Sequence, residues 1–318
     1  MFHAAGAAAW CALPALAQTA VTFPNRTIRI IVPFTAGSGS DNASRLFGEL
    51  MGRTLGQSFV VENKVGANGV IALQMVKQLP ADGYTVLLAS NSPMAVNPLV
   101  MKDLPYDPAR DFKPLGGMTR GINVLVVSND SKFKSLADLV VASKASPKGV
   151  TLATYSAGYQ LAAEWLASMS GMKFTNVPYK GQAPVITDII GNQLDAALLD
   201  MGGAVPLLKA GKLRGIAVSG ETRNPEMPDV PTVKESGYPD YVQYSWTSLY
   251  VRSETPADVT AKLADALLKA HAMPEAKDYA RKTGSEMMVL NAAQMAEFHR
   301  GEIERFRRIA TAAGIRPE

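Results

Sequence analysis

The sequence is poor in the two residue types on which most metal and nucleophile chemistry depends. It has one cysteine, Cys11, in 318 residues. A single cysteine excludes an intrachain disulfide and any cysteine-built zinc or iron–sulfur site. It has three histidines, His3, His271 and His299, and none between residues 4 and 270. A Ser-His-Asp triad or a histidine metal cluster would have to draw on the C-terminal tail, which removes most hydrolase and metalloenzyme readings. Beyond residue 17 no segment approaches the roughly 18–20 uninterrupted apolar residues of a membrane span. A dominant charge is lacking too: 32 Lys+Arg against 28 Asp+Glu leave +4. The basic residues Arg300, Arg305, Arg307 and Arg308 alternate with Glu297, Glu302 and Glu304. That is the pattern of a solvated helix face, and no nucleic-acid partner is expected. What is present is globular composition, 47% hydrophobic and 19% charged, at a length that suits one large domain or two medium ones.

The N-terminus has its own character. Residues 1–18 read MFHAAGAAAWCALPALAQ, with no acidic residue and an Ala-rich apolar stretch ending in Ala15-Leu16-Ala17. The last three residues match a small-x-small cleavage site, so residues 1–17 are expected to be a secretory signal peptide. Only His3 supplies positive character before the apolar stretch. Trp10 beside Cys11 argues against lipoprotein processing. The mature protein is expected to lack cysteine and to work in the periplasm.

Further on, β-rich runs alternate with amphipathic ones. Strands are expected at 27–32 (TIRIIV), 58–61 and 84–89, with helices from Asp41 as N-cap to about residue 55 and at 70–78. This β-α-β-α-β order implies a parallel sheet covered by helices. Between 91 and 114 five prolines loosen the pattern. A strong strand at 123–127 (NVLVV) restarts the alternation. Helices are expected at 135–143, 159–170, 184–190 and 205–210, and strands at 149–153, 173–177, 196–199 and 213–218. Residues 223–239 hold four prolines and read as a surface loop. A strand at 246–251 and two long helices, 257–270 and 292–312, close the chain. The expected architecture is α/β: two lobes joined by crossing strands at 123–127 and 246–251. Residues 18–124 and 246–318 form one lobe and 125–245 the other. Ligands of open α/β sheets bind beyond the carboxyl ends of the strands, which places the site in the cleft between the lobes.

The most informative stretch is PFTAGSGSDNAS (33–44), where a strand runs through small residues into a helix N-terminus. Outward N–H groups backed by a helix dipole make an anion site. A phosphate-binding P-loop is excluded, because Ser40-Asp41 stands where Lys-Ser/Thr is needed. A dinucleotide fingerprint nearly fits as Gly37-x-Gly39-x-x-Asn42 with Glu62 ending the next strand, but its third glycine is Asn42. Capture of a small anion, most simply a carboxylate, and a helix-capping loop with no ligand both remain open on this motif.

Longer stretches narrow the choice. They are FPNRTIRIIVPFTAGSGSD (23–41), VVENKVGANG (60–69), PADGYTVLLAS (80–90), LPYDPARDFKPL (104–115), VPYKGQAPVITDIIGNQLD (177–195), LLKAGKLRGIAVSG (207–220), PEMPDVPTVKESG (225–237) and AAGIRP (312–317). In this order and spacing the sequence resembles the Bug, or TctC-type, extracytoplasmic receptors of tripartite tricarboxylate transporters. The resemblance implies a type II periplasmic-binding-protein fold with a carboxylate held between lobes by loop backbone and hydroxyl groups, often through waters. It implies first-lobe contacts from Phe34, Ala36, Gly37, Ser38, Gly39 and Asp41, and from Ser90, Asn91 and Asn97. Second-lobe contacts are implied from Ser156, Ala157, Gly158, Tyr159 and Gln160, from Tyr179, Lys180, Gly181 and Gln182, and from Asp200. Gly37 and Gly39 let backbone approach a ligand closely. Asp41 reads better as a cap than as a contact, because a carboxylate repels an anionic ligand. Lys180-Gly181-Gln182 before Pro184 is expected to form a second N-terminal nest facing the first. Asp200 is expected to accept from a ligand amine or hydroxyl, or from a water.

Two departures from the family pattern stand out. The first loop reads GSGSD where the family shows a longer glycine run. The second-lobe loop is short, with Tyr159 directly after Ser156-Ala157-Gly158 and Gln160 in place of the family's histidine. Tyr159 is expected to form an aromatic wall that favours an aromatic or rigid carboxylate. The expected function is a monomeric receptor, with no cofactor and no metal, that hands a small carboxylate to the membrane permease of a tripartite tricarboxylate-type transporter. A sensory module serving a receptor kinase is an alternative. A hydrolase of Ser-Lys type with Lys180 as base is the alternative of another class.

Overall fold

The computed structural model describes residues 22–317. The expected signal peptide lies outside the described residues. The chain runs β1 (Ile28–Val32), α1 (Gly39–Leu55), β2 (Phe59–Asn63), α2 (Val70–Gln78), β3 (Thr85–Ser90), a π-helical turn (Ser92–Val96), α3 (Asn97–Val100) and α4 (Pro108–Asp111). Then follow β4 (Phe112–Ser128), α5 (Leu136–Ala145), β5 (Val150–Thr154), α6 (Ala157–Ser170), β6 (Phe174–Pro178), α7 (Gln182–Ile190), β7 (Ala196–Asp200), α8 (Met201–Lys209) and β8 (Leu213–Val218). The chain closes with β9 (Tyr244–Arg252), α9 (Ala257–Ala272), α10 (Pro274–Thr283), β10 (Glu286–Met287) and α11 (Ala292–Ala312).

Two lobes are built on one shared strand. In the first, β1 pairs in parallel with β2 and β3, and β9 runs antiparallel between β3 and β4. In the second, β5 pairs in parallel with β6 and β7, while β4 runs antiparallel to β7 and β8. Residues 112–122 of β4 face β9, and residues 123–128 face β7 and β8. The chain therefore crosses between lobes inside β4, and crosses back just before β9. The central strands read as continuous apolar runs because helices cover both faces; every residue of β3 is buried. Each lobe has two apolar clusters, one per sheet face. The first lobe packs α1 and α9 on one face and α2 and α11 on the other, and the second packs α5 and α6 opposite α7 and α8.

The two crossings are tied together. Asn123 Nδ2 donates to Gln243 Oε1, Asn123 N donates to Ser219 Oγ at 2.8 Å, and Ser219 Oγ donates to Gln243 O at 2.6 Å. All three residues are buried. Buried polar groups need such partners, and the network joins the two segments that cross between the lobes.

The strand expected at 123–127 begins eleven residues earlier. Pro114 and the glycine pair Gly116-Gly117 read as breakers, but the register of β4 shifts between Pro114 and Gly116 and again between Gly117 and Thr119. A proline is tolerated at such irregularities. The N-cap of α1 is Ser38, not Asp41; the Ser38 side chain accepts from Asp41 N at 3.2 Å. Helix α10 and strand β10 fall outside the elements expected from sequence. No helix among the described residues is long and apolar enough to cross a membrane.

Candidate functional site

Between the lobes lies a cavity of about 110 Å³. An apolar cavity of roughly 150 Å³ holds one benzene, so this space suits a small molecule. The lobes meet around it. Ser92 Oγ, at the start of the π-helical turn after β3, donates to Ser156 Oγ at 2.9 Å and accepts from Gly158 N at 3.0 Å. Ala157 and Leu161 of α6 join an apolar cluster of the first lobe.

The β1–α1 loop supplies one wall. Phe34, Gly37, Ser38, Gly39, Ser40 and Asn42 line the cavity. Gly37 has φ +79°, a conformation that favours glycine. The first N–H groups of a helix have no intrahelical acceptor. Here Asp41 N is taken by Ser38 Oγ, while the N–H groups of Gly39 and Ser40 have no partner among the described residues. Asp41 itself points away. Its carboxylate accepts from Gly37 N, Asn63 Nδ2 and Arg45 at 2.9–3.0 Å. Burial pushes its pKa up, but the hydrogen bonds from Arg45, Gly37 and Asn63 outweigh that and hold it below the ordinary carboxylate value.

Ser90 and Asn91 close the floor from the end of β3. The Ser90 hydroxyl is buried and has no hydrogen-bond partner among the described residues. Such a group costs free energy unless something else satisfies it.

The second lobe contributes Tyr155, Ser156, Tyr159, Gln182 and Asp200 with Gly202 and Gly203. Tyr155 and Tyr159 stack, ring centroids 4.2 Å apart. Burial raises the pKa of both phenols, so both stay neutral. Tyr155 OH donates to Gln182 Oε1 at 3.0 Å and accepts from Asp200 N at 3.1 Å. Asp200 caps α8, its Oδ1 accepting from Gly203 N at 3.3 Å. Desolvation raises its pKa, and the hydrogen bonds from Gly203 and Gly202 only partly offset that. No Lys, Arg or His among the described residues lines the cavity. An anion here would be held by neutral donors and helix dipoles.

Ten of the expected residues line the cavity: Phe34, Gly37, Ser38, Gly39, Ser90, Asn91, Ser156, Tyr159, Gln182 and Asp200. The other nine do not. Ala36, Gln160 and Lys180 are exposed. Asn97 is fully buried, donating to Asn68 O and Tyr106 OH, both at 3.0 Å. Tyr179 OH donates to Asp188 on the outer side of α7. Ala157 and Gly158 serve the lobe contact, as does Gly181, whose Cα leaves room for Thr35: a Cβ there would stand 2.6 Å from its Oγ1. The two loops that open α1 and α7 thus meet through Thr35 and Gly181, while the Lys180 side chain turns to solvent.

Sequence reasoning missed the residues that come from strands and from the unexpected helix. Thr119 and Thr247 face each other across β4 and β9 at 2.9 Å. Tyr279 and Thr283 of α10 close the cavity, and Tyr279 OH donates to Gly39 O at 3.1 Å. Pro274 at N1 and Gly284 after the last turn are the start and stop signals that mark α10. Trp246, expected in the core or hinge, is 1% exposed and donates from Nε1 to Glu302 Oε2 at 2.9 Å, yet also borders the cavity.

Known proteins resemble this chain over most of its length. Residues 44–315 match the family described as tripartite tricarboxylate transporter family receptor. Protein BugT of Bordetella pertussis is 30% identical over 301 residues, covering 94% of this chain and 92% of that protein. The structure of R. palustris Rpa4515 with adipate superposes with a TM-score of 0.89 at 31% identity, covering 93% of this chain and all of that one. The structure of MatC from Rhodopseudomonas palustris with bound malate gives 0.86 at 26% identity, covering 90% and 99%. On the extent of these matches, the chain belongs to the tripartite tricarboxylate transporter receptor family, to which the Bug proteins also belong.

Proposed function

We propose that the protein is an exported receptor that captures a small carboxylate between its lobes and delivers it to the membrane permease of a tripartite tricarboxylate-type transporter. Residues 18–124 and 246–318 act as one lobe and 125–245 as the other, after removal of residues 1–17 in the periplasm. One observation carries the reading. Residues with hydrogen-bond donors that have no acceptor among the described residues, Ser90 with its hydroxyl and Gly39 and Ser40 with their N–H groups, line a cavity where the lobes meet. A carboxylate supplies what they lack, four lone-pair sites on two oxygens. The carboxylates named for the R. palustris structures, adipate and malate, support the same ligand class. The role is binding rather than catalysis. A Ser-Lys hydrolase would need Lys180 in the cavity, and its side chain is exposed outside it.

The test is a thermal-shift screen of ligand-free protein against mono-, di- and tricarboxylates, with small-angle scattering on the same samples. A ligand at about 100 times its Kd adds roughly 2.7 kcal/mol and should favour the compact, closed form. Protein proven ligand-free that shifts with none of these acids would defeat the reading.

A further inference from the structure

One ion pair at the lobe boundary lies outside the cavity yet is connected to both sides of it. Glu302 and Arg305 belong to α11 of the first lobe, and neither lines the cavity. Glu302 is 7% exposed. Its Oε2 accepts from Trp246 Nε1 at 2.9 Å, and its Oε1 accepts from Arg305 Nη1 at 3.0 Å. The other arm of the guanidinium, Nη2, donates to Val242 O at 3.2 Å. Val242 stands just before Gln243, where the buried network ties the returning segment to Asn123. The residue before it, Tyr241, is held by the second lobe. Its OH donates to Ala162 O at 3.1 Å, and its ring centroid lies 4.7 Å from that of Trp165. Ala162 and Trp165 belong to α6, the helix that also brings Tyr159 to the cavity wall and Gly158 to Ser92. A continuous path thus runs from Trp246, which borders the cavity, through Glu302, Arg305, Val242 and Tyr241 to α6, which borders it from the second lobe.

We propose that Arg305 is a positioning residue for ligand binding: its fork holds the returning segment against α11 in the closed arrangement, so part of the affinity is set outside the cavity. This rests on the receptor reading and deepens it. Movement of α6 away from the first lobe carries Tyr241 and Val242 with it, and the Arg305–Val242 bond is the link on this path that such movement breaks. Arginine suits the place because its planar fork presents two donors in fixed directions, one for Glu302 and one for Val242 O. A lysine ammonium is a single point on a flexible stem. Glu302 anchors the fork, and a partly buried pair of this kind is screened far less than an exposed one. A path of contacts becomes a coupling only when energies along it are shown to depend on one another.

The experiment is calorimetric titration and stopped-flow kinetics on the natural chain, Arg305→Lys, Glu302→Gln and the double variant, with a thermal melt of each free protein. The probes are the two tightest-binding acids among acetate, succinate, adipate, malate, citrate and benzoate, widened to the full screen if fewer than two of these bind. Arg305→Lys keeps a cation for Glu302 and gives up Val242 O. Glu302→Gln keeps an acceptor for Trp246 Nε1 and gives up the charge that anchors the fork. Each single variant should bind both acids about three- to tenfold more weakly, by one common factor, with the loss in the dissociation rate. The double variant should be within about twofold of the worse single, because both changes act through one link. Unchanged Kd in Arg305→Lys, with or without a lowered melting temperature, is what a merely structural role gives and would overturn the proposal. So would a loss that differs more than about threefold between the two acids, which would place the effect at the cavity wall through Trp246. Losses that multiply in the double variant would overturn it too. Each of these leaves the receptor reading standing. If no carboxylate binds the natural chain, both fall.

Discussion

Replacing Gly158 by alanine separates lobe closure from folding, because the two respond with opposite sign. Gly158 lies in the first turn of α6, in the second lobe. A methyl group there would stand 2.6 Å from Ser92 Oγ and 2.8 Å from Asn91 Nδ2, both in the first lobe. Ordinary contact begins near 3.4 Å. Ser92 cannot swing aside freely: it is 2% exposed and bonded to Ser156 Oγ and Gly158 N. Forcing a methyl into packed surroundings costs about 1–3 kcal/mol. At 1.4 kcal/mol per decade, that weakens ligand binding by roughly 5- to 150-fold.

The clash exists only while the lobes are together. In the open form the methyl meets no first-lobe atom, and glycine to alanine within a helix gains about 0.5–1 kcal/mol. Ligand-free Gly158→Ala should therefore melt at the same temperature as the natural chain or slightly higher, yet bind the best carboxylate of the screen much more weakly. Scattering should show a smaller ligand-induced contraction. Calorimetry for Kd and a melt of the free protein suffice. An unchanged Kd with a lowered melting temperature would refute the reasoning, since it would put the strain inside one lobe.

Three other outcomes follow from single groups. Ser90→Ala removes a buried hydroxyl without a partner among the described residues, so it should stabilise the free protein by about 1 kcal/mol while weakening carboxylate binding about tenfold, read by melting and titration. Asn97→Ala deletes the donor to Asn68 O and Tyr106 OH and should cost about 2–3 kcal/mol in a denaturant melt with no change in Kd, because Asn97 lies off the cavity. His271 and His299 are buried on single carbonyls, Gly117 O and Met94 O, and burial sets both below the ordinary 6.5 despite those bonds. The unfolded chain thus takes up protons first: their contribution is intact above pH 6.5 and is lost as the pH falls below it. The melting temperature should drop from pH 7 to 5, and less so in His271→Gln.

Much of the fold could be read from alternation alone, because buried strands such as VLLA (86–89) are apolar without interruption and the helices between them are striped. Three features resisted. Pro114 and Gly116-Gly117 are breakers by local rule, and only the register shifts against β9 let β4 run through them. Helix α10, PEAKDYARKT, buries only Ala276 fully, so its apolar pattern is faint although its end signals are sound. Ser38 and Asp41 are both good caps three residues apart, and they divide the capping between them. Ser38 Oγ accepts from Asp41 N, while the Asp41 carboxylate accepts from Gly37 N. The site divides in the same way. Small residues before α1 advertise an approach to ligand. Thr119 and Thr247 belong to strands whose partners the sequence does not reveal, and Lys180 follows a strand end that aims its side chain outward.

The proposed capture of an anion in a cavity with no cation among its described lining residues has a consequence for how binding and closure are coupled. A lysine or arginine in one lobe would attract the ligand over a Debye length, about 8 Å at physiological salt, and would hold it before the lobes met. Hydrogen bonds from N–H and hydroxyl groups act only near 3 Å. Here the donors without acceptors among the described residues, on Gly39, Ser40 and Ser90, belong to the first lobe, and the second lobe closes the other side with Tyr155, Tyr159, Gln182 and Asp200. On this reading an open form would offer the ligand only the contacts of one lobe, and most differential affinity would belong to the closed form, the condition for a ligand to drive closure. Salt distinguishes the two designs. With neutral donors, Kd for the best carboxylate should change by less than about threefold between 0.05 and 1 M salt, and any change should sit in the association rate, through the overall charge of +4. A tenfold loss of affinity carried by the dissociation rate would mean that a basic side chain reaches the ligand, and closure would then follow capture rather than complete it.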